Sequence, residues 1–174
     1  MIRSETRRER YNGKLVDAKT YPISLCAINF MFDDNIGYLI RAAACFGAKK
    51  LHVIGRMPLR GAVKATSGSL YDYVDIEPHS SPTAFLERMT EENVQLICAE
   101  LANSAVSIEN FNFSYEKEIC IVVGNETTGI PPEILKKSQN IFIPMPGVGF
   151  CLNTAQAANI MLYETVKQYE RLNK

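Results

Sequence analysis

Residues 141–164 read IFIPMPGVGFCLNTAQAANIMLYE, and the fold turns on how this stretch divides. Ile141, Phe142 and Ile143 form a short apolar run of the kind that makes a buried strand. The run breaks at Pro144 and Pro146, passes Gly147 and Gly149, and gives way to a helical pattern after Asn153. Asn153 followed three places later by Gln156 has the form of a capping box, so the loop delivers its last residues to a helix N-terminus. A strand, a glycine-bearing loop and a helix entry in that order place backbone N–H groups where they can face a ligand. The prolines restrict the loop and the glycines free it, which suits a pocket wall; the plain alternative is a long connection.

Upstream the chain alternates in the same way. Residues 23–30 (ISLCAINF) are a compact apolar run and read as a buried strand. Asp33 and Asp34 then offer cap oxygens to a helix whose Ile36, Leu39, Ile40, Ala43, Ala44 and Phe46 recur at helical spacing, with Gly47 as its stop. Residues 51–55 make the next strand, completing a βαβ unit of about the ~30 residues expected and implying parallel pairing. Residues 61–69 are a small, glycine-punctuated connection with one helical turn near Val63. Residues 71–76 alternate apolar and acidic side chains, as a strand with one wet face does. Ser81 and Pro82 open a helix through Met89, and residues 95–99 and 119–123 are further buried strands. Pro131 and Pro132 open a short helix, and the last helix runs to about Leu172. Six strands interleaved with helices predict a single α/β domain over residues 22–174, its six-stranded, mostly parallel sheet flanked by helices, after a basic N-terminal arm over 1–21. Ligands of such sheets collect beyond the strand C-termini. That singles out the loops after Phe30, Val123 and Ile143.

A chain of 174 residues, 47% hydrophobic and 22% charged, can bury a core without staples. Its 19 basic and 19 acidic residues cancel, which argues against strong nonspecific nucleic-acid binding but leaves room for a local basic patch. Arg3, Arg7, Arg8, Arg10 and Lys14 make the first residues a solvated arm or short helix, or an arm that touches a polyanion. That segment is too charged for a signal peptide, and no run approaches the ~18 apolar residues of a membrane span. Five cysteines without a CxxC pair indicate reduced thiols in a cytoplasmic protein, not a disulfide framework or zinc site. With only His52 and His79 besides, no metal is expected.

Three motifs sit on the singled-out loops. The first, residues 34–41 (DNIGYLIR), carries Asn35 at a helix start and Arg41 six residues on. At ~100° per residue the two side chains lie about 120° apart around the axis and do not share a face. Ile40, Ala42, Ala43 and Ala44 predict a substantially buried Arg41 that needs acceptors, either for chemistry or as a structural contact. The second motif, residues 122–131 (VVGNETTGIP), brackets the carboxylate of Glu126 between Gly124 and Gly129. It is neither a P-loop nor a dinucleotide fingerprint, and alone it reads as a tight strand-to-helix connection. The third is the opening stretch, with Cys151, Leu152 and Asn153 at its helix entry.

Taken in order, N-I-G-x-x-x-R-A-A-x-x-F-G, V-V-G-N-E-x-x-G-I and I-P-M-x-G-x-G-x-C-L-N-x-A-x-A resemble the SpoU (TrmH-like) family of RNA ribose 2′-O-methyltransferases, within the SPOUT superfamily. Residues 65–70 (ATSGSL) also look like the family's connecting stretch, and the resemblance runs from about Pro22 to the C-terminus. It implies a SPOUT fold with a C-terminal trefoil knot, which periodicity cannot reveal. It further implies a homodimer, S-adenosyl-L-methionine as cofactor, and tRNA or rRNA as partner, with no membrane or metal. Leu101, Gly124, Ile143 and Leu152 are the cofactor-binding residues it implies, with Glu126 and Asn153 at the border of cofactor and catalytic centre. Arg41 becomes the central catalytic residue, positioned by Asn35.

A guanidinium stays protonated at all accessible pH, so the preferred role for Arg41 is to bind the neighbouring phosphate and orient the 2′-hydroxyl. The family usually has Ser where this chain has Cys151, and a thiol donates a weaker hydrogen bond. Any catalytic contact at Cys151 is therefore softened, and a covalent role lacks a His nearby in sequence. The alternative function is a catalytically weak RNA-binding or assembly factor, motivated by Cys151 and the neutral charge. In either case the arm arginines with Lys49, Lys50, Arg56 and Arg60 are the candidates for salt-dependent phosphate contacts.

Overall fold

A computed structural model describes residues 6–102 and 104–173. Inside its sheet lies β1 (Tyr21–Ile28), buried from Ile23 onward on both faces, as an interior parallel strand must be. β1 pairs in parallel with β2 (Ala48–Ile54) on one side and β6 (Ile119–Val123) on the other, so Leu25 lies beside Leu51 and Ile121. β3 (Asp75–His79) extends the β2 side, while β4 (Gln95–Ala99), β7 (Gln139–Phe142) and the short β5 (Val106–Ser107) extend the β6 side. The order is β3-β2-β1-β6-β4-β7-β5, every pairing parallel.

The sheet thus has seven strands where periodicity predicts six. β5 is two residues long and shows no alternation to read. The strand expected over 71–76 starts later: Tyr71–Tyr73 is a 3-10 turn and β3 begins at Asp75. Pro78 in β3 sits on an edge strand, where its missing N–H interrupts no interior ladder.

The helices follow from local chemistry. α1 (Arg7–Leu15) opens on a capping box between Thr6 and Glu9. α2 (Asp33–Phe46) is capped by the backbone of Phe32, so Asp33 and Asp34 are first-turn residues that favour the helix dipole and not the caps that their position suggests. Gly47 ends α2 in the left-handed conformation, as expected. α3 (Lys64–Ser67) and α5 (Pro132–Leu135) are single turns, and α4 (Pro82–Glu91) is capped by Ser81. α6 (Thr154–Leu172) is the longest element.

Strand alternation divides the core. Leu25, Leu51, Ile97 and Ile121 point to the face covered by α2 and α6, through Leu39, Ile40, Ala43, Ala158, Met161 and Leu162. Cys26, Cys98, Cys120 and Val122 point to the other face, under Phe85, Leu86 and Met89 of α4 and Ile134 of α5. Three cysteines therefore serve as small apolar core residues. Burial pushes their thiols up, Cys98 to about 12, and all five cysteines are free.

At the β2–β3 edge the register sets His52 opposite Glu77, with His79 two residues on. His52 Nδ1 lies 2.9 Å from His79 Nε2, and ligating atoms of all three side chains fall within 4.8 Å of one another. No sequence motif signals that the two histidines meet. The three side chains already have partners: Lys50 bonds Glu77, the rings bond each other, and Arg88 Nε lies 3.2 Å from the Glu77 carboxylate as an ion pair without hydrogen-bond geometry. Two cations beside Glu77 oppose a third.

Candidate functional site

The carboxyl ends of β1, β4, β6 and β7 lie side by side, and the loops leaving them are stitched together by side chains. Asn125 donates from Nδ2 to the Asn29 carbonyl, while its Oδ1 accepts from the N–H groups of Thr127 (2.8 Å) and Thr128 (2.9 Å). This Asx turn holds Glu126 toward the first motif. There Glu126 Oε2 accepts from the Met31 N–H at 2.9 Å and Oε1 from Asn35 Nδ2 at 2.5 Å. Asn35 Oδ1 in turn accepts from Asn153 Nδ2 at 3.0 Å. Asn153 also caps α6, its Oδ1 accepting from Ala155 N (2.9 Å) and Gln156 N (3.3 Å). Only that half of the expected capping box forms among the described residues. Asn35, Glu126 and Asn153, far apart in sequence, make one continuous polar chain.

Burial of the Glu126 carboxylate acts to raise its pKa. Hydrogen bonds from the Met31 N–H, its own N–H, Asn35 and the Phe32 N–H outweigh this and hold it below the usual carboxylate range. Glu126 therefore stays ionised at neutral pH and orients Asn35 as a fixed acceptor.

Beside this chain a cavity of about 930 Å³ is lined by Leu101, Gly124, Leu152 and Asn153, and a smaller lobe of about 130 Å³ by Leu101, Ile143, Cys151 and Leu152. All four residues expected to bind cofactor line one lobe or both, and the larger volume lies in the ~300–1,000 Å³ range of ligand clefts. The Gly124 position is forced by geometry: a Cβ there would stand 2.4 Å from the Gly129 carbonyl carbon. This close approach lets the 125–129 turn fold back on its own strand, with Thr154 Oγ1 donating to the Gly124 carbonyl at 3.0 Å. Gly124→Ala is expected to cost about 1–3 kcal/mol, the range for overpacking, read as a lowered urea midpoint.

One residue that sequence reasoning missed is Glu100, at the end of β4. It lines both lobes, and its oxygens accept from the N–H groups of Leu101 (3.0 Å) and Ile130 (3.3 Å). A carboxylate directly after a buried strand, at the sheet end where ligands collect, is the signal that could have found it.

Arg41 is placed differently from expectation. It is exposed, on a stripe of α2 with Tyr38 and Cys45 at i, i+3 and i+7 spacing, because the core takes Leu39, Ile40, Ala42 and Ala43 from the opposite side. It makes no hydrogen bond or ion pair among the described residues, and its Nη2 lies 3.0 Å from where a Cβ on Gly68 would stand. The protomer brings Arg41 neither to Asn35 nor into the lining of either lobe. Cys151 is exposed at the cavity wall and makes no hydrogen bond among the described residues. Of the expected RNA-contacting cations, Lys49 pairs with Glu118, Lys50 is largely buried against Glu77, and Arg56 pairs with Asp33. Arg3 lies outside the described residues.

A pocket beyond the carboxyl ends of a parallel sheet, walled by glycine-bearing loops, defines the class: an α/β protein that takes a ligand at its strand ends. The family is defined by sequence. Residues 22–163 match the SpoU rRNA Methylase family, and the chain belongs to it. It is 27% identical over 150 residues to the tRNA (guanosine(18)-2′-O)-methyltransferase of Escherichia coli, covering 84% of this chain and 63% of that protein. It thus spans under two thirds of the length of that relative. A solved structure described as giving insight into the 2-OH methylation of C/U34 on tRNA matches with a TM-score of 0.75 at 28% identity, over 85% of this chain and 96% of the other. The AdoMet-bound rRNA methyltransferase from Sinorhizobium meliloti matches with a TM-score of 0.74 at 26% identity, over 84% and 58% of the two chains. These relatives are methyltransferases and do not favour a catalytically weak factor. Among the described residues no helix is long and apolar enough to cross a membrane.

Proposed function

We propose that this protein is a cytoplasmic homodimer that transfers a methyl group from S-adenosylmethionine to a ribose 2′-hydroxyl of tRNA or rRNA. The observation that carries the reading is the cavity walled by Leu101, Gly124, Ile143 and Leu152, with the Asn35–Glu126–Asn153 chain beside it. Apolar walls suit a flat base, and the preorganised Glu100 carboxylate suits hydroxyl groups or a cation. When bound, the cofactor supplies an electrophilic sulfonium methyl group. Glu100→Gln is expected to weaken S-adenosylhomocysteine binding about tenfold in calorimetry, as removal of a charge-assisted bond would. An unchanged affinity would remove Glu100 from the binding set.

The exposed Arg41 supports a composite centre in which one protomer's α2 stripe faces its partner's cavity. On α6, Met161 is in the core and Ala157 lines the cavity, while Ile160 and Tyr163 are exposed, as is Leu172 at the helix end. Tyr163 packs edge-on against Phe46 of α2, at 6.0 Å between ring centroids, so the exposed apolar faces of α2 and α6 adjoin as one subunit contact. In that arrangement the Arg41 guanidinium would hold the phosphate next to the target ribose and orient its 2′-hydroxyl, whose proton would pass to solvent; bound S-adenosylmethionine would supply the methyl group and leave as S-adenosylhomocysteine. The insertion of β7 between β4 and β5, with α6 packed back toward β6, supports a knotted path for the C-terminal segment.

Methyl-labelled cofactor, incubated with the protein and unmodified tRNA and rRNA, is expected to yield an alkali-resistant 2′-O-methyl dinucleotide. No label in either RNA pool, with cofactor bound, overturns the activity.

A further inference from the structure

Away from the cofactor cavity, a second cleft of about 640 Å³ opens between α1 and residues 60–73. It is lined by three tyrosines (Tyr11, Tyr71 and Tyr73) and by the cations Arg60 and Lys64. Tyr11 meets Tyr73 edge-on at 5.9 Å, and the Tyr73 hydroxyl donates to Asn12 Oδ1 at 3.1 Å, which docks α1 as one wall. The Arg60 guanidinium lies over the Tyr71 ring at 5.1 Å and pairs with Asp72. Both members of that pair are more than half exposed, so the pairing is weak and the guanidinium can turn to another anion. The Lys64 side chain has no hydrogen bond or ion pair among the described residues. The cleft runs through Gly68, and Gly68 is where the exposed Arg41 guanidinium rests.

We propose that this cleft seats the single-stranded nucleotides flanking the target ribose, an inference that rests on the RNA-modifying reading above. Aromatic faces interleaved with cations suit unstacked bases and their phosphates, whereas a regular duplex offers no free base faces. Arg60 and Lys64 against Asp72 leave a net positive cleft, and its continuity with Arg41 puts it beside the phosphate that the reaction requires to be held.

The test measures anisotropy of a fluorescein-labelled single-stranded oligouridylate with the full chain and with an Arg60→Ala/Lys64→Ala variant, both residues being exposed. The variant is expected to bind at least about tenfold more weakly, with a salt slope shallower by ~0.7 for each phosphate that it no longer neutralises. Lys137→Ala, an exposed lysine outside the cleft lining, is expected to bind as wild type. Equal affinity of wild type and double variant, no binding by wild type at low salt, or a duplex bound as tightly as the single strand each overturns the proposal. Calorimetry with S-adenosylhomocysteine on the same proteins separates the two readings. Its failure with oligonucleotide binding intact counts against the methyltransferase. An unchanged value in a variant that no longer binds oligonucleotide shows that the variant is folded and supports the cleft.

Discussion

Arg41→Ala is expected to lower methyl transfer by roughly 100-fold or more while leaving folding, dimerisation and cofactor affinity as they were. The two halves of that expectation have separate physical grounds. The side chain is exposed and has no hydrogen-bond partner among the described residues, so its removal falls within the small range, about ±0.5 kcal/mol, of surface substitutions. It lines neither lobe of the cofactor cavity in its own protomer. In the composite centre proposed above, its work is to hold and orient a phosphate. Arg41→Lys keeps the charge but gives up the planar fork, and is expected to recover only part of the rate. Single-turnover methylation with saturating cofactor, alongside sedimentation and urea unfolding, checks each part. Full activity in Arg41→Ala would remove the residue from the mechanism.

The largest effect expected on stability comes from the other end of the sheet. Burial, and then the neighbouring His79 ring, lowers the His52 pKa from 6.5 to about 4, and burial also lowers His79. Glu77 opposes both shifts, while Lys50 and Arg88 reinforce them. Between those two values the unfolded chain takes up a proton that the folded protein refuses, so stability is lost as pH falls from 6.5 toward 4 and is fully present above that window. At 1.36 kcal/mol per pKa unit, His52 alone contributes about 3 kcal/mol to the loss. Urea midpoints measured across that window should fall more steeply for wild type than for His52→Gln/His79→Gln, whichever is more stable at neutral pH. Parallel slopes would show that the two rings take up protons in the folded protein as readily as in the unfolded chain.

The sheet was largely legible because its strands are long apolar runs and its helices carry caps and periodic stripes. β5 was not, being two residues held only by its pairing with β7. The site was legible in its residue types but not in its assembly. Asn35, Glu126 and Asn153 stand on separate loops, and nothing in their spacing says that one side chain will bond the next. Arg41 misled through its neighbours: three alanines and an isoleucine look like burial around it, yet a helix turns 100° per residue and puts the guanidinium outside. Glu100 went unread because a single carboxylate after a strand carries no motif. His52 and His79 meet only through the parallel register of two strands, which periodicity does not fix.

β7 has a consequence in time as well as in space. It follows β4 and β5 in the chain yet lies between them, and the bond that joins Asn153 to Asn35 spans 118 residues. The entropy of closing so long a loop is lost before the bond can repay it, which places this step late in folding. A chain still leaving the ribosome holds the first strands, but the slot between β4 and β5 is unfilled and Asn35 has no C-terminal partner. The Asn35–Glu126–Asn153 chain therefore doubles as a completion mark: under the proposed function, a half-made molecule has nowhere to hold a methyl donor and does not act on RNA ahead of its own folding.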